Sequence, residues 1–200
     1  MRLPYQLASR FVAGEDLPET LAVVRELTGE GLRVALDRLG EHVHDRGLAR
    51  EATDHYRTLV ERLGTDPDLV DREVDVSIKL SMMGQVIEEG FCRDNLFRLL
   101  ETASEHGVFI TLDMEGSDLT ESTLRLFREA HEVYPDSVGA VLQAYLKRTE
   151  EDVEEMCERG ARVRLCKGAY DEPPEIAYQE MDVIRERFLS HAAELLERAP

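Results

Sequence analysis

The chain has few cysteines, an excess of acidic over basic residues, and no long apolar run. Its three cysteines form no CxxC pair and leave one unpaired in any bridging scheme, which favours a reducing cytoplasm. The longest apolar runs reach about five residues, far below the ~20 needed to span a bilayer. No apolar stretch follows Arg2 and Pro4, so a secretory signal is not visible. The sequence therefore predicts no transmembrane helix.

The charge balance also restricts the partners. Lys and Arg number 24 and Asp and Glu number 42, which gives a net charge of −18 over 200 residues. A field of this sign repels phosphate backbones and anionic lipid surfaces. Hydrophobic residues make up 42% and charged residues 33%, a composition that supports a packed core and a soluble surface. We expect one globular core and no nucleic-acid partner.

Short apolar segments alternate with longer amphipathic ones, the pattern of a parallel sheet with helical crossovers. The predicted strands are residues 31–39, 74–81, 108–113, 138–145 and 161–166. The predicted helices are residues 17–28, 49–63, 93–106, 120–133, 150–158 and 175–198. The sequence thus predicts an α/β fold with an N-terminal helix and five βα units.

The residues that interrupt the strands distinguish an open sheet from a barrel. No GxGxxG or GxxxxGK[ST] loop follows the first strand, so the commonest phosphate-binding signatures of open sheets are missing. Polar residues occupy alternate strand positions, such as Asp75, Ser77 and Lys79, where a strand buried on both faces would be continuously apolar. A (β/α)8 TIM-type barrel explains this alternation, because one face packs on outer helices and the other faces the interior.

Four polar side chains fall late in strands two to five, where barrel enzymes place their catalytic groups. They are Lys79, Asp113, Gln143 and Arg164. The alternative is structural: Asp113 could pair with Lys79 or Arg164 in a buried ion pair, and Gln143 could be an ordinary strand residue. Four such residues at one barrel mouth favour a site.

The segment after strand five, Lys167-Gly168-Ala169-Tyr170, has small residues that would let a ligand approach the backbone. An ordinary glycine turn is the more common explanation of such a segment. His42 and His44 have the HxH spacing of some metal-dependent barrel hydrolases, although a solvated loop is the more common explanation of such a segment. No GxSxG motif supports a serine nucleophile, and Cys166 is expected to be an inert buried thiol.

Five segments, in order and spacing, resemble the proline dehydrogenases. They read ASRFVAG (8–14), SIKLS (77–81), TLDME (111–115), LQAYLKR (142–148) and VRLCKGAY (163–170). The resemblance covers essentially the whole chain, which is similar to the monofunctional bacterial enzymes. It implies a (β/α)8 barrel that binds FAD, oxidises L-proline to 1-pyrroline-5-carboxylate and passes electrons to a membrane quinone.

The resemblance also implies roles for individual residues. Lys79 would bind the proline carboxylate, and Asp113 and Arg164 would form the catalytic pair, with Arg164 near the flavin N5. The expected FAD contacts are Met114, Gln143, Arg164, Lys167, Gly168 and Ala169. No metal is expected. The implied location is cytoplasmic, and the quinone leaves peripheral contact with the inner membrane open.

Family members of this type run to about three hundred residues, so this chain would hold an N-terminal helical segment (1–30) and a partial barrel (31–200) with strands six to eight missing. The family's Tyr-x-x-Arg-Arg motif, which clamps the substrate carboxylate, is missing with them. We expect a fragment that does not turn over alone and whose exposed strand edges favour association, including homo-oligomers. The alternatives are a metal-dependent hydrolase using His42 and His44, and a non-catalytic remnant that binds partners.

Overall fold

The computed structural model describes residues 12–70 and 72–198. Its sheet contains five parallel strands in the order β1-β2-β3-β4-β5, so each strand lies beside the next one along the chain. The strands are β1 (Val34–Asp37), β2 (Val74–Ile78), β3 (Phe109–Leu112), β4 (Val138–Gln143) and β5 (Val163–Cys166). This order confirms the predicted α/β class and a partial TIM-type barrel.

Helices precede the sheet and connect its strands. They are α1 (Leu17–Gly29), α2 (Arg46–Thr65), α3 (Glu89–His106), α4 (Ser117–Val133), α5 (Thr149–Arg159) and α6 (Met181–Arg198). A single 3-10 turn, Leu80–Met83, follows β2. Within the described ranges, no helix combines the length and the apolar character needed to cross a membrane.

Local sequence explains where several helices begin and end. The Asp45 carboxylate accepts a hydrogen bond from the Leu48 backbone N–H at 2.9 Å and so caps the start of α2. Gly107 and Gly160 end α3 and α5 in the left-handed conformation, with φ of 66° and 63°, which glycine adopts without a Cβ penalty.

The sheet has two different faces. Val76 and Ile78 of β2 are fully buried and belong to the main core, which the helices cover. The opposite side, which we call the inner face, carries Asp75, Ser77 and Arg164. The alternation of polar and apolar residues along β2 therefore separates a helix-packed core from a polar interior, as the barrel interpretation predicts.

Several predicted boundaries were wrong, three of them as follows. β1 spans four residues rather than 31–39. β2 ends at Ile78, and Ser81 belongs to the 3-10 turn and is fully buried instead of continuing the strand. The last helix begins at Met181 rather than at 175, because the carbonyl of Pro173 accepts hydrogen bonds from Ile176 and Ala177 in a separate turn.

Residues 8–11 of the first family-like segment lie outside the described residues. Leu21 and Val24 of α1 join the same core as the strands, whereas the domain boundary at residue 30 stays a prediction.

Candidate active site on the inner face

Lys79, Asp113 and Arg164 meet on the inner face although they follow or belong to three different strands. The Lys79 Nζ lies 3.5 Å from an Asp113 carboxylate oxygen, and the Arg164 guanidinium donates a hydrogen bond to the other oxygen. Arg164 also donates to the Ser77 hydroxyl at 2.7 Å. The predicted cluster therefore has one carboxylate shared by two cations.

A fourth member, Asp37 at the end of β1, was not predicted. Its carboxylate accepts a hydrogen bond from the Lys79 Nζ at 2.8 Å, which is shorter than the Lys79–Asp113 contact. Asp37 is the last residue of β1, and Lys79 and Asp113 directly follow the ends of β2 and β3, so a similar position near a strand end could have identified it. Lys79 thus lies between two carboxylates.

Burial and charge act on these groups in opposite directions. Burial alone would lower the pKa of Lys79, but the hydrogen bond and charge of Asp37, with the charge of Asp113, outweigh it and raise that pKa. Burial raises the pKa of Asp113, and the charges of Arg164 and Lys79 offset only part of this effect. The site therefore holds Lys79 as a cation.

A second ion pair lies beside the first on the same face. The Arg162 guanidinium donates to Asp75 at 2.5 Å and stacks over the Phe109 ring, 4.3 Å from its centroid. Burial raises the pKa of Asp75, while Arg162 works against that shift. Asp75 and Asp113 on the inner face are therefore each paired with an arginine.

Glu115, two residues after Asp113, is fully buried and was not predicted as a site residue. Its carboxylate accepts hydrogen bonds from the Ser81 backbone N–H at 3.1 Å and from the Ser81 hydroxyl at 2.5 Å. Ser81 Oγ in turn accepts from the His42 N–H at 3.0 Å. Burial raises the pKa of Glu115 despite the Ser81 hydrogen bonds. This chain of contacts joins the segments that follow β1, β2 and β3.

The HxH pair does not form a joint ligand set. Ligand atoms of Glu41, His42 and Glu115 lie within 4.8 Å of one another, whereas His44 is not part of any such group among residues 12–70 and 72–198. The geometry therefore does not support the predicted use of His42 and His44 as a metal-binding pair.

Gln143 lies at the end of β4 and is almost fully buried. Its side-chain amide nitrogen faces the backbone carbonyl oxygens of Met114 and Glu115, at 3.3 and 3.5 Å. Its Oε1 is buried and has no hydrogen-bond partner among the described residues. Met114 places its side chain in the core, so its backbone is the part nearest to Gln143.

The segment after β5 is held close to the segment after β4. Gly168 has φ of 111°, and a Cβ there would lie 2.2 Å from the Tyr145 ring. Glycine is required by this close packing and by the left-handed backbone. Lys167 and Ala169 are exposed. The Tyr170 hydroxyl donates to Glu41 at 3.1 Å.

Cys166 ends β5 beside these groups. It is half-buried rather than fully buried, and burial raises the pKa of its thiol. A raised thiol pKa agrees with the expectation of an unreactive cysteine.

The chain is 33% identical over 183 residues to proline dehydrogenase 2 of Bacillus subtilis (strain 168), covering 90% of this chain and 58% of that protein. It is 36% identical over 183 residues to the proline dehydrogenase of Deinococcus radiodurans, covering 88% of this chain and 57% of that protein. The chain thus spans a little over half the length of these relatives.

Solved structures show the same fold. Proline utilization A (PutA) from Bdellovibrio bacteriovorus, inactivated by N-propargylglycine, matches with a TM-score of 0.86 and 27% identity over 96% of this chain and 24% of that one. These relatives give no support to a metal-dependent hydrolase. The family model described as proline dehydrogenase matches residues 20–184. Sequence and topology agree over most of the chain, which therefore belongs to the proline dehydrogenase family.

Proposed function

We propose that this chain provides the substrate- and flavin-binding face of an enzyme that oxidises L-proline to 1-pyrroline-5-carboxylate with FAD. The observation that carries the proposal is the meeting of Lys79, Asp113 and Arg164 on the inner face. Family membership makes this the natural chemistry for such a cluster. The relatives are longer, so the activity is proposed for the protein to which this face belongs.

Lys79 is suited to bind the carboxylate of proline. Its ammonium is a compact cation, largely buried, and reaches two carboxylates that keep it protonated. A substrate carboxylate would take the place of one of these partners. Asp37 is the more exposed of the two, at 36% against 14% for Asp113, and so is the partner that a ligand can displace with less rearrangement.

Arg164 is held by two different partners. One guanidinium nitrogen donates to Ser77 and another to Asp113, so the plane of the group is fixed before any ligand arrives. Asp113 also offsets the charge of Arg164. We infer that Arg164 orients the reacting ring system and that Asp113 is the residue that positions it.

The residues present fit FAD. The unpartnered Oε1 of Gln143 is a fixed, buried acceptor, since the amide nitrogen of the same side chain is directed at two backbone carbonyls. A flavin ring offers an N–H group to such an acceptor. Lys167, Gly168 and Ala169 would lie along the cofactor, with Lys167 exposed to meet a phosphate. Without such a donor, the buried Gln143 Oε1 would lack a hydrogen bond and would destabilise the folded chain.

The chemistry needs no covalent step on the protein. When bound, FAD supplies the acceptor for the hydride that leaves the proline carbon next to nitrogen. The carbon–nitrogen bond becomes a double bond, and the nitrogen loses its proton to solvent. Lys79 and Arg164 bind and orient the substrate, and the strand ends fix their positions.

The test measures binding before turnover. The longer protein to which this face belongs is purified, incubated with FAD and desalted, and its visible spectrum is recorded anaerobically with and without L-proline. We expect a retained flavin band that L-proline bleaches. N-propargylglycine, which inactivates the Bdellovibrio protein, should abolish the response to L-proline. Lys79→Met is the matched variant, because it keeps the length of the side chain and removes the charge.

The outcomes are distinct. Lys79→Met should retain flavin and require much more L-proline for the same bleaching. If the longer protein retains no flavin, or contains stoichiometric zinc in its place, the proposal is refuted. An equal response of wild type and Lys79→Met would remove Lys79 from the substrate site.

We further propose a quinone as the electron acceptor and association through the sheet edges. β1 and β5 are the outer strands of the sheet formed by the described residues. Such edges present unpaired backbone groups that favour pairing. Oxidation of the reduced flavin by a soluble quinone tests the first proposal, and light scattering of the purified chain tests the second.

A further inference from the structure

Glu172, in the segment between β5 and α6, contacts the first residue of α4. The Ser117 backbone N–H donates to one oxygen of the Glu172 carboxylate at 2.7 Å, and the Ser117 hydroxyl donates to the other at 2.6 Å. Both residues are half-buried. The contact joins residues that are 55 positions apart in the sequence.

α4 lacks a cap of its own. Gly116 precedes the helix and has no side chain to accept a hydrogen bond from the free N–H groups of the first turn. Glu172 provides that acceptor from a distant part of the chain. Its negative charge is also favourable at the positive end of the helix dipole.

The two segments joined by this contact are those proposed to contact FAD. Ser117 comes three residues after Met114, and Glu172 comes three residues after Ala169. Residues 167–180 also form hydrogen bonds with the segment after β4, for example from the Tyr145 N–H to the Lys167 carbonyl at 2.9 Å, and with Glu41 after β1, through the Tyr170 hydroxyl. Within the described part of the chain, Glu172 makes the hydrogen bonds that connect this segment to α4.

We propose that Glu172 is a positioning residue of the cofactor site. By holding Ser117, it fixes the distance between the segment after β3 and the segment that contains Gly168 and Ala169. The inference rests on the proposed binding of FAD. Without Glu172, both segments would remain folded at their strand ends but would no longer be held in one arrangement, and the cofactor would have to order them on binding.

A purely stabilising cap is the alternative, and a matched variant separates the two. Glu155 on α5 resembles Glu172 in chemistry: its carboxylate accepts charge-assisted hydrogen bonds from Arg128 and Arg159 at 2.8–2.9 Å and is also half-buried. Its partners lie on α4 and α5, away from the proposed FAD contacts. Glu155→Ala should therefore lose stability without changing the cofactor site.

The experiment compares wild type, Glu172→Ala, Glu172→Gln and Glu155→Ala. FAD affinity is measured by quenching of flavin fluorescence, and amide hydrogen exchange is measured without FAD. Because loss of a hydrogen bond to a charged acceptor corresponds to roughly a ten-fold change, Glu172→Ala should weaken FAD binding about ten-fold. Glu172→Gln keeps one acceptor oxygen and should recover part of the affinity.

Exchange gives a readout that does not depend on cofactor. Glu172→Ala should exchange faster at 117–120 and at 168–172, whereas Glu155→Ala should leave both regions unchanged. Unchanged exchange at these regions in Glu172→Ala would overturn the proposal, as would equal FAD affinity in Glu172→Ala and Glu155→Ala. If wild type binds no FAD, the proposed function and the role of Glu172 toward FAD both fail, and the exchange data alone decide whether Glu172 joins the two segments.

Discussion

The Ser81–Glu115 pair offers the sharpest quantitative prediction. Glu115 is fully buried, and both of its carboxylate oxygens accept hydrogen bonds from Ser81. Hydrogen bonds to charged groups contribute about 1.5–3 kcal/mol each. Removing Glu115 also removes the cost of burying its charge, so the single variant Glu115→Ala gives a mixed value. The interaction energy between the two positions is the quantity that the structure predicts.

A double-mutant cycle isolates that energy. Ser81→Ala, Glu115→Ala and the double variant are compared with wild type by urea denaturation followed by circular dichroism. The Ser81 backbone N–H persists in every variant, so the cycle reports the hydroxyl–carboxylate bond of 2.5 Å. We expect a coupling of about 2 kcal/mol in the free energy of unfolding.

A coupling below about 0.5 kcal/mol would refute the reasoning, because that is the usual scatter for residues that do not interact. Glu115→Gln is the control for shape. It keeps an acceptor oxygen for Ser81 and removes the charge, so its coupling with Ser81→Ala should fall below that of Glu115→Ala.

Three further predictions concern charge, pH and space. Arg164→Lys should strongly reduce L-proline-dependent flavin bleaching, since one ammonium cannot reproduce the two-sided hold of the guanidinium; an unchanged response would contradict its role. The raised pKa of Glu115 means that wild type loses stability as the pH rises from 4.5 through the folded-state pKa. The free energy of unfolding of Glu115→Gln should therefore increase relative to that of wild type as the pH rises from about 5 to 8. A difference between the two that does not change with pH would contradict a buried charge at Glu115. Gly139→Ala should destabilise the chain by about 3 kcal/mol or more in the same assay, because its Cβ would lie 2.5 Å from the Arg162 carbonyl oxygen, and wild-type stability would exclude this contact.

The sequence predicted the order of elements and the inner face correctly. Polar residues at alternate positions of β2 identified which side chains face inward, since the period of a strand is two residues. Lys79, Asp113 and Arg164 could be predicted together because parallel strands place their carboxyl ends at one edge. Their roles toward FAD and proline remain proposals.

Asp37 was missed for a definite reason. The first strand was predicted to reach residue 39, which placed Asp37 inside the strand rather than at its end. The edge position of β1 explains the error, because its residues are only partly buried and its apolar pattern is weak. Asp37 was therefore missed because the length of β1 was predicted wrongly.

Glu115 and Glu172 could not be predicted from local patterns. Glu115 follows β3 in a segment without regular secondary structure, and its hydrogen-bond partner Ser81 is 34 residues away in the sequence. Glu172 caps a helix that begins 55 residues earlier. A carboxylate in a loop is usually solvated. Only the structure shows that the carboxylates of Glu115 and Glu172 accept hydrogen bonds from distant residues.

The charges of the inner face have a consequence for strand alignment. Asp113 follows β3, whose residues are in register with β2 from Asp75↔Phe109 to Ile78↔Leu112. A slip of one residue would turn Asp113 toward the apolar helices and leave Lys79 and Arg164 facing each other without their common anion. These charged residues would then penalise a sheet that is misaligned by one residue, so the residues of the proposed site also favour the correct pairing while the chain folds.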